Sequence, residues 1–343
     1  MSEPLFLGFD AGGSKTVCVC GDLVTTLGRG EAGPANPGVA GVAGFRAAIA
    51  TAATDALRGT GISDRGRLSE SRVVAWIGLA GSESSVLGAD LRKAARSALD
   101  TRRVWISHDG LLLLAAAGLK SGICVVAGTG SSVYGRSPLG HEVRVGGWGH
   151  LLGDEGSGYD IARHAFRAIT QAADGRSPRT LLSDAIPNAV GVDSVDALRD
   201  RLYPAPPVAE TARLARVVVE LSQTDAVAAE IVAGAARQLA AAVRACRARL
   251  DTATHGRVVA EHAMDVVAGG GLMAGGSALL AGLAHELSRP DEAYRVMPLE
   301  VEPAVGALAL ARDALARDGP DAEEEQLWEA DEHVQQESKE KLR

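Results

Sequence analysis

The segment Asp10-Ala11-Gly12-Gly13-Ser14-Lys15-Thr16 sets one carboxylate, two hydroxyls and one ammonium around a pair of glycines. Glycines in a turn after a strand let several backbone N–H groups face one anion with no Cβ in the way. The spacing approaches a P-loop from Gly8 to Thr16, but Ser14 separates Gly13 from Lys15. The residues after Thr16 read as strand, where a P-loop needs a helix. A hairpin turn remains. It is either a phosphate nest of Gly12, Gly13, Ser14, Lys15 and Thr16, with Asp10 holding Mg2+ through water, or a plain connection.

Two further glycine turns follow apolar runs. In Gly128-Thr129-Gly130-Ser131 the hydroxyls of Thr129 and Ser131 suit a phosphate or an acceptor substrate. Gly269-Gly270-Gly271-Leu272-Met273-Ala274 formally fits the dinucleotide fingerprint, with Asp291 and Glu292 downstream. That fingerprint needs a full βαβαβ continuation. Here a single strand follows, so a loop approaching a nucleotide base or ribose is the preferred reading.

Two acidic segments could work beside such turns. His108-Asp109-Gly110 ends a strand and opens a helix, where ligands of α/β sheets bind. Asp109 there fits either a base taking a proton from an attacking hydroxyl or an ordinary helix N-cap. Between residues 146 and 159 lie six glycines, Trp148, His150 and the adjacent acids Asp154 and Glu155. Carboxylates accept from hydroxyls and an indole covers an apolar face, which suits a polyhydroxylated ligand. The plainer reading is a long loop with Asp154 or Ser157 capping the next helix.

The elements that must carry these residues read as α/β. Strands are expected at residues 5–10, 16–20, 72–79 and 103–107, with helices at 38–57, 84–99 and 111–119. The pattern restarts with strands at 123–127, 132–136 and 142–145. A mostly helical stretch over 157–250 is broken by Pro204, Pro206 and Pro207. Strands at 264–268 and 294–297 and a helix at 303–315 close it. Both halves open as strand, glycine turn, strand, the trace a duplicated architecture leaves.

The 343 residues suggest two domains. A net charge of −8 argues against a nucleic-acid surface. No signal peptide is visible, and the longest apolar runs, such as residues 111–119, are shorter than a membrane span. Cys18, Cys20, Cys124 and Cys246 form neither a disulfide framework nor a zinc pattern, so the reading is cytoplasmic with reduced thiols. Beyond Gly319-Pro320 a charged tail, led by Glu323-Glu324-Glu325, reads as a solvated or frayed helix.

Taken in order, residues 8–16, 107–110, 126–132, 146–162 and 267–276 resemble the sugar-kinase branch of the actin and hexokinase superfamily (ASKHA). They look most like the N-acetylglucosamine and glucosamine kinases, actinobacterial glucosamine kinases above all, and the BadF/BadG-type activator ATPases grouped with them. The resemblance implies two ribonuclease-H-like, actin-like ATPase lobes around a central cleft. The lobes would be residues 1–119 with 303–318 returning to them, and residues 120–302, followed by a tail at 319–343.

It further implies ATP and Mg2+ as cofactors and transfer of phosphate to the 6-hydroxyl of an amino sugar. Asp109 would be the base and Asp10 the Mg2+ residue. Residues 12–16 and Thr129, Gly130 and Ser131 would meet phosphate, and Gly270 and Gly271 adenosine. Asn36, Thr129, Ser131, Trp148, His150, Asp154 and Glu155 would contact the sugar. Asp160 stands where N-acetylglucosamine kinases often carry tryptophan, and an added carboxylate suits a free ammonium. Glucosamine, giving glucosamine 6-phosphate and ADP, is therefore the expected substrate; N-acetylglucosamine is the alternative, and a nucleotide-gated activator without kinase activity a more distant one. A small-molecule sugar partner, no nucleic acid, no membrane and a homodimer complete the expectation.

Overall fold

The computed structural model describes residues 4–58, 60, 73–79, 85–203, 206–254, 263–289 and 293–318. Asp291, Glu292, Pro204 and the tail at 319–343 lie outside the described residues. In chain order the first elements are β1 (Leu5–Ala11), β2 (Thr16–Gly21), β3 (Thr26–Ala32), α1 (Pro37–Leu57), β4 (Val73–Leu79), α2 (Ser85–Leu99), β5 (Arg103–His108) and α3 (Asp109–Ala116). Then come β6 (Gly122–Ala127), β7 (Ser131–Arg136), β8 (Glu142–Gly146), α4 (Gly158–Ala173), α5 (Leu182–Val190), α6 (Val195–Leu202), α7 (Val208–Arg213), α8 (Ala215–Leu221) and α9 (Ala226–Ala253). The chain continues through β9 (Met264–Gly269), α10 (Ala278–Glu286), β10 (Tyr294–Pro298) and α11 (Pro303–Asp318).

The chain divides into two compact units, residues 1–119 with those from 301 onward, and residues 120–300. The first holds a five-stranded sheet of order β3-β2-β1-β4-β5, the second one of order β10-β9-β6-β7-β8. Read outward from β1 or β6 the two are the same: a two-hairpin meander to one side and two parallel strands to the other. The repeated strand, turn, strand openings are thus the starts of two like sheets.

In the first unit, alternation along β1 sorts its side chains. Leu5, Leu7, Phe9 and Ala11 join Phe45, Ile49 and Ala52 of α1 in one core, while Gly8 faces α11. Strand β3 was not among the expected elements, because Thr26-Leu27-Gly28-Arg29-Gly30 lacks apolar alternation. Its glycines serve packing: a Cβ on Gly28 would lie 2.1 Å from the Ala56 carbonyl, and one on Gly30 2.3 Å from that of Ala52. Helix α1 lies that close.

In the second unit Ile123, Val125, Ala127 and Val133 pack with Ile161 and Ala165 of α4 and Leu239, Val243 and Cys246 of α9. The expected helical stretch resolves into six helices, α4 to α9, and α10 is an addition the sequence pattern did not signal. Helix α9 is 28 residues and apolar enough to cross a membrane by length and composition. Its Val232, Ala236, Leu239, Ala240 and Leu250 are instead buried in this core.

Candidate functional site

In the first unit the sheet fixes both acids at one edge. Asp10 is the penultimate residue of β1, and the parallel register runs from Ala11 to Leu79 of β4 and on to His108 of β5. Asp109 follows as the first residue of α3, so both carboxylates stand at the carboxyl ends of parallel strands. Burial above all, and then the negative charge of Asp109, push the Asp10 carboxyl up to about 6; Lys15 opposes this and Glu302 adds to it. Asp10 therefore resides where extra positive charge would stabilise its ionised form.

The N-cap reading of Asp109 is corrected here. His108 holds the cap position, with its Nδ1 3.0 Å from the Gly110 N–H. The same Nδ1 is 2.9 Å from Asp109 Oδ1, and the two side chains are 11% and 26% exposed. Trp76 donates from Nε1 to Ser107 Oγ at 2.9 Å and stacks on Trp105, stiffening the end of β5. A histidine directly before an acid at a strand-to-helix junction is the sequence signal for this pairing.

The first glycine turn is closed by Gly12 N–H donating to the Lys15 carbonyl at 3.0 Å. Gly13, Ser14 and Lys15 are exposed, and nothing lies within 4 Å of where a Gly13 Cβ would stand. Thr16 departs from expectation. It is fully buried and donates to the Gly33 carbonyl at 2.8 Å, so its hydroxyl ties β2 to the end of β3 instead of turning to phosphate. Lys15 pairs with Glu31 at 3.2 Å, Glu31 with Arg29, and Arg29 with Glu302 at 2.8 Å. Asn36 caps α1, its Oδ1 accepting from Gly38 N at 2.8 Å, and its own N–H donates to Gly12 O. The side chain placed at the sugar by resemblance is thus used locally.

In the second unit the turn at Gly128–Ser131 and the loop over 146–159 are laced together. Gly158 N–H donates to Gly128 O, Tyr159 N–H to Thr129 O and Gly147 N–H to Ser131 O. The Ser131 hydroxyl donates to Glu155 O at 2.8 Å and is buried, so its proton is committed to the loop, against the expectation that it faces a ligand. Asp154 has φ +59, a left-handed backbone that strains a non-glycine residue. Its carboxylate lies against Gly130, where a Cβ would come 2.7 Å from Oδ2. Burial foremost raises its pKa above 3.8, although the N–H groups of Ser131 and Gly149 donate to it and work the other way.

Around this buried acid, Thr129, Glu155 and Trp148 are exposed. Trp148 is 70% exposed with the Arg144 guanidinium 6.0 Å from its ring, and His150 packs edge-on against Tyr159 at 4.9 Å. Asp160 is corrected as a sugar contact: it is buried, and its carboxylate is occupied. Oδ2 accepts from Gly156 N–H at 3.0 Å and Oδ1 from Arg163 at 2.8 Å, while Ser157 caps α4 by accepting from Asp160 N–H. The arrangement differs from a capping box in that the return bond reaches the N–H of Gly156, one residue before the cap, and Ser157, not Asp154, is that cap.

The third turn leaves β9. Gly270 has φ +95, and a Cβ on it would lie 2.3 Å from Ala127 O; Leu272 N–H donates to that same carbonyl. Gly270 and Gly271 are thereby bound to the strand that leads into Gly128.

These residues fit the expected ATP and Mg2+ in two respects. Among the described residues no group of three His, Cys, Asp or Glu could hold a metal ion. A cation carried mainly by water and phosphate, with one carboxylate beneath it, needs no such group, and the buried Asp10 has the chemistry of such a carboxylate. The open backbone at Gly13 offers an anion the approach a side chain would block.

Comparison with known proteins gives concordant results. The chain is 34% identical over 188 residues to an N-acetylmuramic acid/N-acetylglucosamine kinase of Clostridium acetobutylicum, covering 54% of this chain and 61% of that one. It is 36% identical over 83 residues to an N-acetyl-D-glucosamine kinase of Dictyostelium discoideum, covering 24% of this chain and 26% of that one. The matches thus span less than two thirds of either curated relative. The crystal structure of a candidate N-acetylglucosamine kinase from Chromobacterium violaceum superposes with a TM-score of 0.71 at 26% identity, over 91% of this chain and 100% of the other. Two like α/β sheets are the actin-like ATPase fold of the sugar kinases. Since the family's sequence profile matches residues 7–311, the chain belongs to the BadF/BadG/BcrA/BcrD ATPase family.

Proposed function

We propose that this protein is a cytoplasmic kinase that phosphorylates the 6-hydroxyl of an amino hexose. The observation that carries the reading is the strained, buried Asp154 held against Gly130 inside the loop that bears Trp148 and Glu155. Strain of this kind persists where a site requires it, and two carboxylates beside an indole suit a sugar ring. The likeness to N-acetylglucosamine kinases supports the same substrate class.

ATP is the phosphoryl donor of this ATPase family, and Mg2+ offsets charge on its phosphates. The chain's own residues position and exchange the proton. Asp109 would take the proton of the sugar 6-hydroxyl as that hydroxyl oxygen bonds to the γ-phosphorus and the bond from that phosphorus to the departing ADP oxygen breaks. Asp10 would hold the cation, the turn at Gly12, Gly13, Ser14 and Lys15 together with Thr129 and Gly130 the phosphates, and Gly270 and Gly271 the adenosine. Thr129, Trp148, His150, Asp154 and Glu155 would take the sugar.

The preference for glucosamine rested on Asp160, whose carboxylate already serves Gly156 and Arg163, and on the likeness to actinobacterial glucosamine kinases. With the first argument gone, the N-acetylated amino sugar is the better reading and glucosamine the alternative. The four buried cysteines agree with a reducing compartment; a homodimer is the assembly expected of such a kinase.

A coupled assay of ADP release over N-acetylglucosamine, glucosamine, glucose and mannosamine tests the proposal. N-acetylglucosamine should give the highest kcat/KM, and Asp109→Asn should reduce kcat by about 10²–10⁴-fold with the fold intact. Turnover of ATP that is indifferent to every sugar would reject it in favour of the activator ATPase.

A further inference from the structure

We infer that His108 is a positioning residue for Asp109, gripping the carboxylate through an Nδ1–H donor. The inference rests on the reading of Asp109 as the base. Asp109 Oδ1 stands 2.9 Å from Nδ1, and the Gly110 N–H is directed at the same nitrogen from 3.0 Å. One nitrogen cannot serve both in one state. Accepting from Gly110 needs a bare Nδ1, which would set its lone pair against the carboxylate. Donating to Asp109 needs Nδ1 to carry the proton.

The second arrangement is favoured because a hydrogen bond to an ionised carboxylate is about twice as strong as one between neutral groups. The low exposure of the imidazole, 11%, keeps water from replacing it. The ring is also rooted in a stiff element. His108 closes β5, in parallel register with Leu79, and Ser107 beside it bonds to Trp76 and to the His108 carbonyl. A carboxylate gripped from such a base keeps one orientation, and a base held in place meets its hydroxyl without an entropic search. Positioning of this kind acts on kcat more than on substrate affinity. No proton is consumed or released by it: the Nδ1 proton stays on the ring while Asp109 takes the proton of the sugar.

Three variants separate this role from helix capping. His108→Ala removes the ring and with it either role. His108→Ser keeps a capping oxygen but loses the ring's reach to Asp109. His108→Asn keeps an acceptor for Gly110 and offers an amide N–H to the carboxylate. We expect the Ser variant to melt within about 2 °C of the wild type, with KM values within about twofold and kcat lower by about 10–100-fold. The Asn variant should recover most of that kcat.

Wild-type kcat in the Ser variant, or an Asn variant no better than Ser, overturns the inference and leaves His108 as a cap. A second readout does not depend on turnover. Side-chain nitrogen NMR of the protein, with the His108 signal assigned by its absence from His108→Asn, should show the proton on Nδ1; a proton on Nε2 alone overturns the inference. Wild-type protein with no sugar-dependent turnover rejects the reading of Asp109 as the base, whatever the NMR shows of the contact.

Discussion

Around Gly12 the turn carries an exposed ion-pair chain from Lys15 through Glu31 and Arg29 to Glu302, added to backbone hydrogen bonds that Ala35 and Asn36 donate to Gly12 O. Around Gly130 it is held from behind, by backbone hydrogen bonds to residues 147, 158 and 159 and by a carboxylate pressed on the glycine. Two turns that open like sheets in the same way share backbone hydrogen bonds but differ in what side chains add, exposed ion pairs at the first and close packing at the second. Exposed ion pairs are weak and yield to a competing anion; close packing does not yield. The first turn suits a ligand that exchanges charge with it, and the second suits one that must find a fixed shape.

The sharpest test of that contrast is a matched pair of glycine substitutions. Gly130→Ala puts its Cβ at 2.7 Å from Asp154 Oδ2. It should cost about 1–3 kcal/mol of stability in chemical denaturation and raise the sugar KM at least about tenfold. Gly13→Ala meets open space and should stay within about 0.5 kcal/mol. Equal costs at the two positions would erase the distinction.

Thr16→Val comes next. Its hydroxyl is buried on Gly33 O, so the loss should be about 1–2 kcal/mol of stability, with nucleotide affinity, followed by calorimetry, nearly unchanged. A large drop in affinity would return Thr16 to the phosphate.

Asp154→Asn should show a smaller effect of opposite sign. Burial raises this carboxyl above 3.8 in the fold, so its ionisation opposes folding as pH rises from the unfolded value through the folded one. Asn carries no such slope. The variant should melt at or above the wild type at neutral pH, lose that advantage below about pH 4, and bind sugar less well. Melting curves across pH would decide it.

Glu31→Gln should have the smallest effect, at most about 0.5 kcal/mol and vanishing in high salt, since both partners of its ion pairs are about half exposed. A larger or salt-independent loss would mean that the first turn is also held by packing.

Much of this was legible from sequence where the signal is local. β1, β2, β4 and β6 are continuous apolar runs, and three glycine turns follow strands as read. Strand β3 was not legible because its glycines lower strand propensity for the sake of a distant helix. Neither was the fate of Thr16, Ser131 and Asp160. A polar side chain near a glycine turn can face a ligand or a backbone group, and which of these it meets is set by residues 15 or more positions away for the first two. For Asp160 the deciding neighbours, Gly156 and Arg163, are four and three residues away. A serine three positions before the acid was the signal available.

Gly8 has room only for hydrogen because the backbone of Leu308 would stand 2.2 Å from its Cβ. The opening strand of the chain is thus completed by a helix synthesised some three hundred residues later. The segment between them, 120–300, is contiguous and can close its own core as it leaves the ribosome, whereas the sheet begun first must wait. Release of α11 during synthesis should be the slow, aggregation-exposed step of maturation. Truncation before Pro303 should leave the 120–300 unit folded and the older half exposed to proteases.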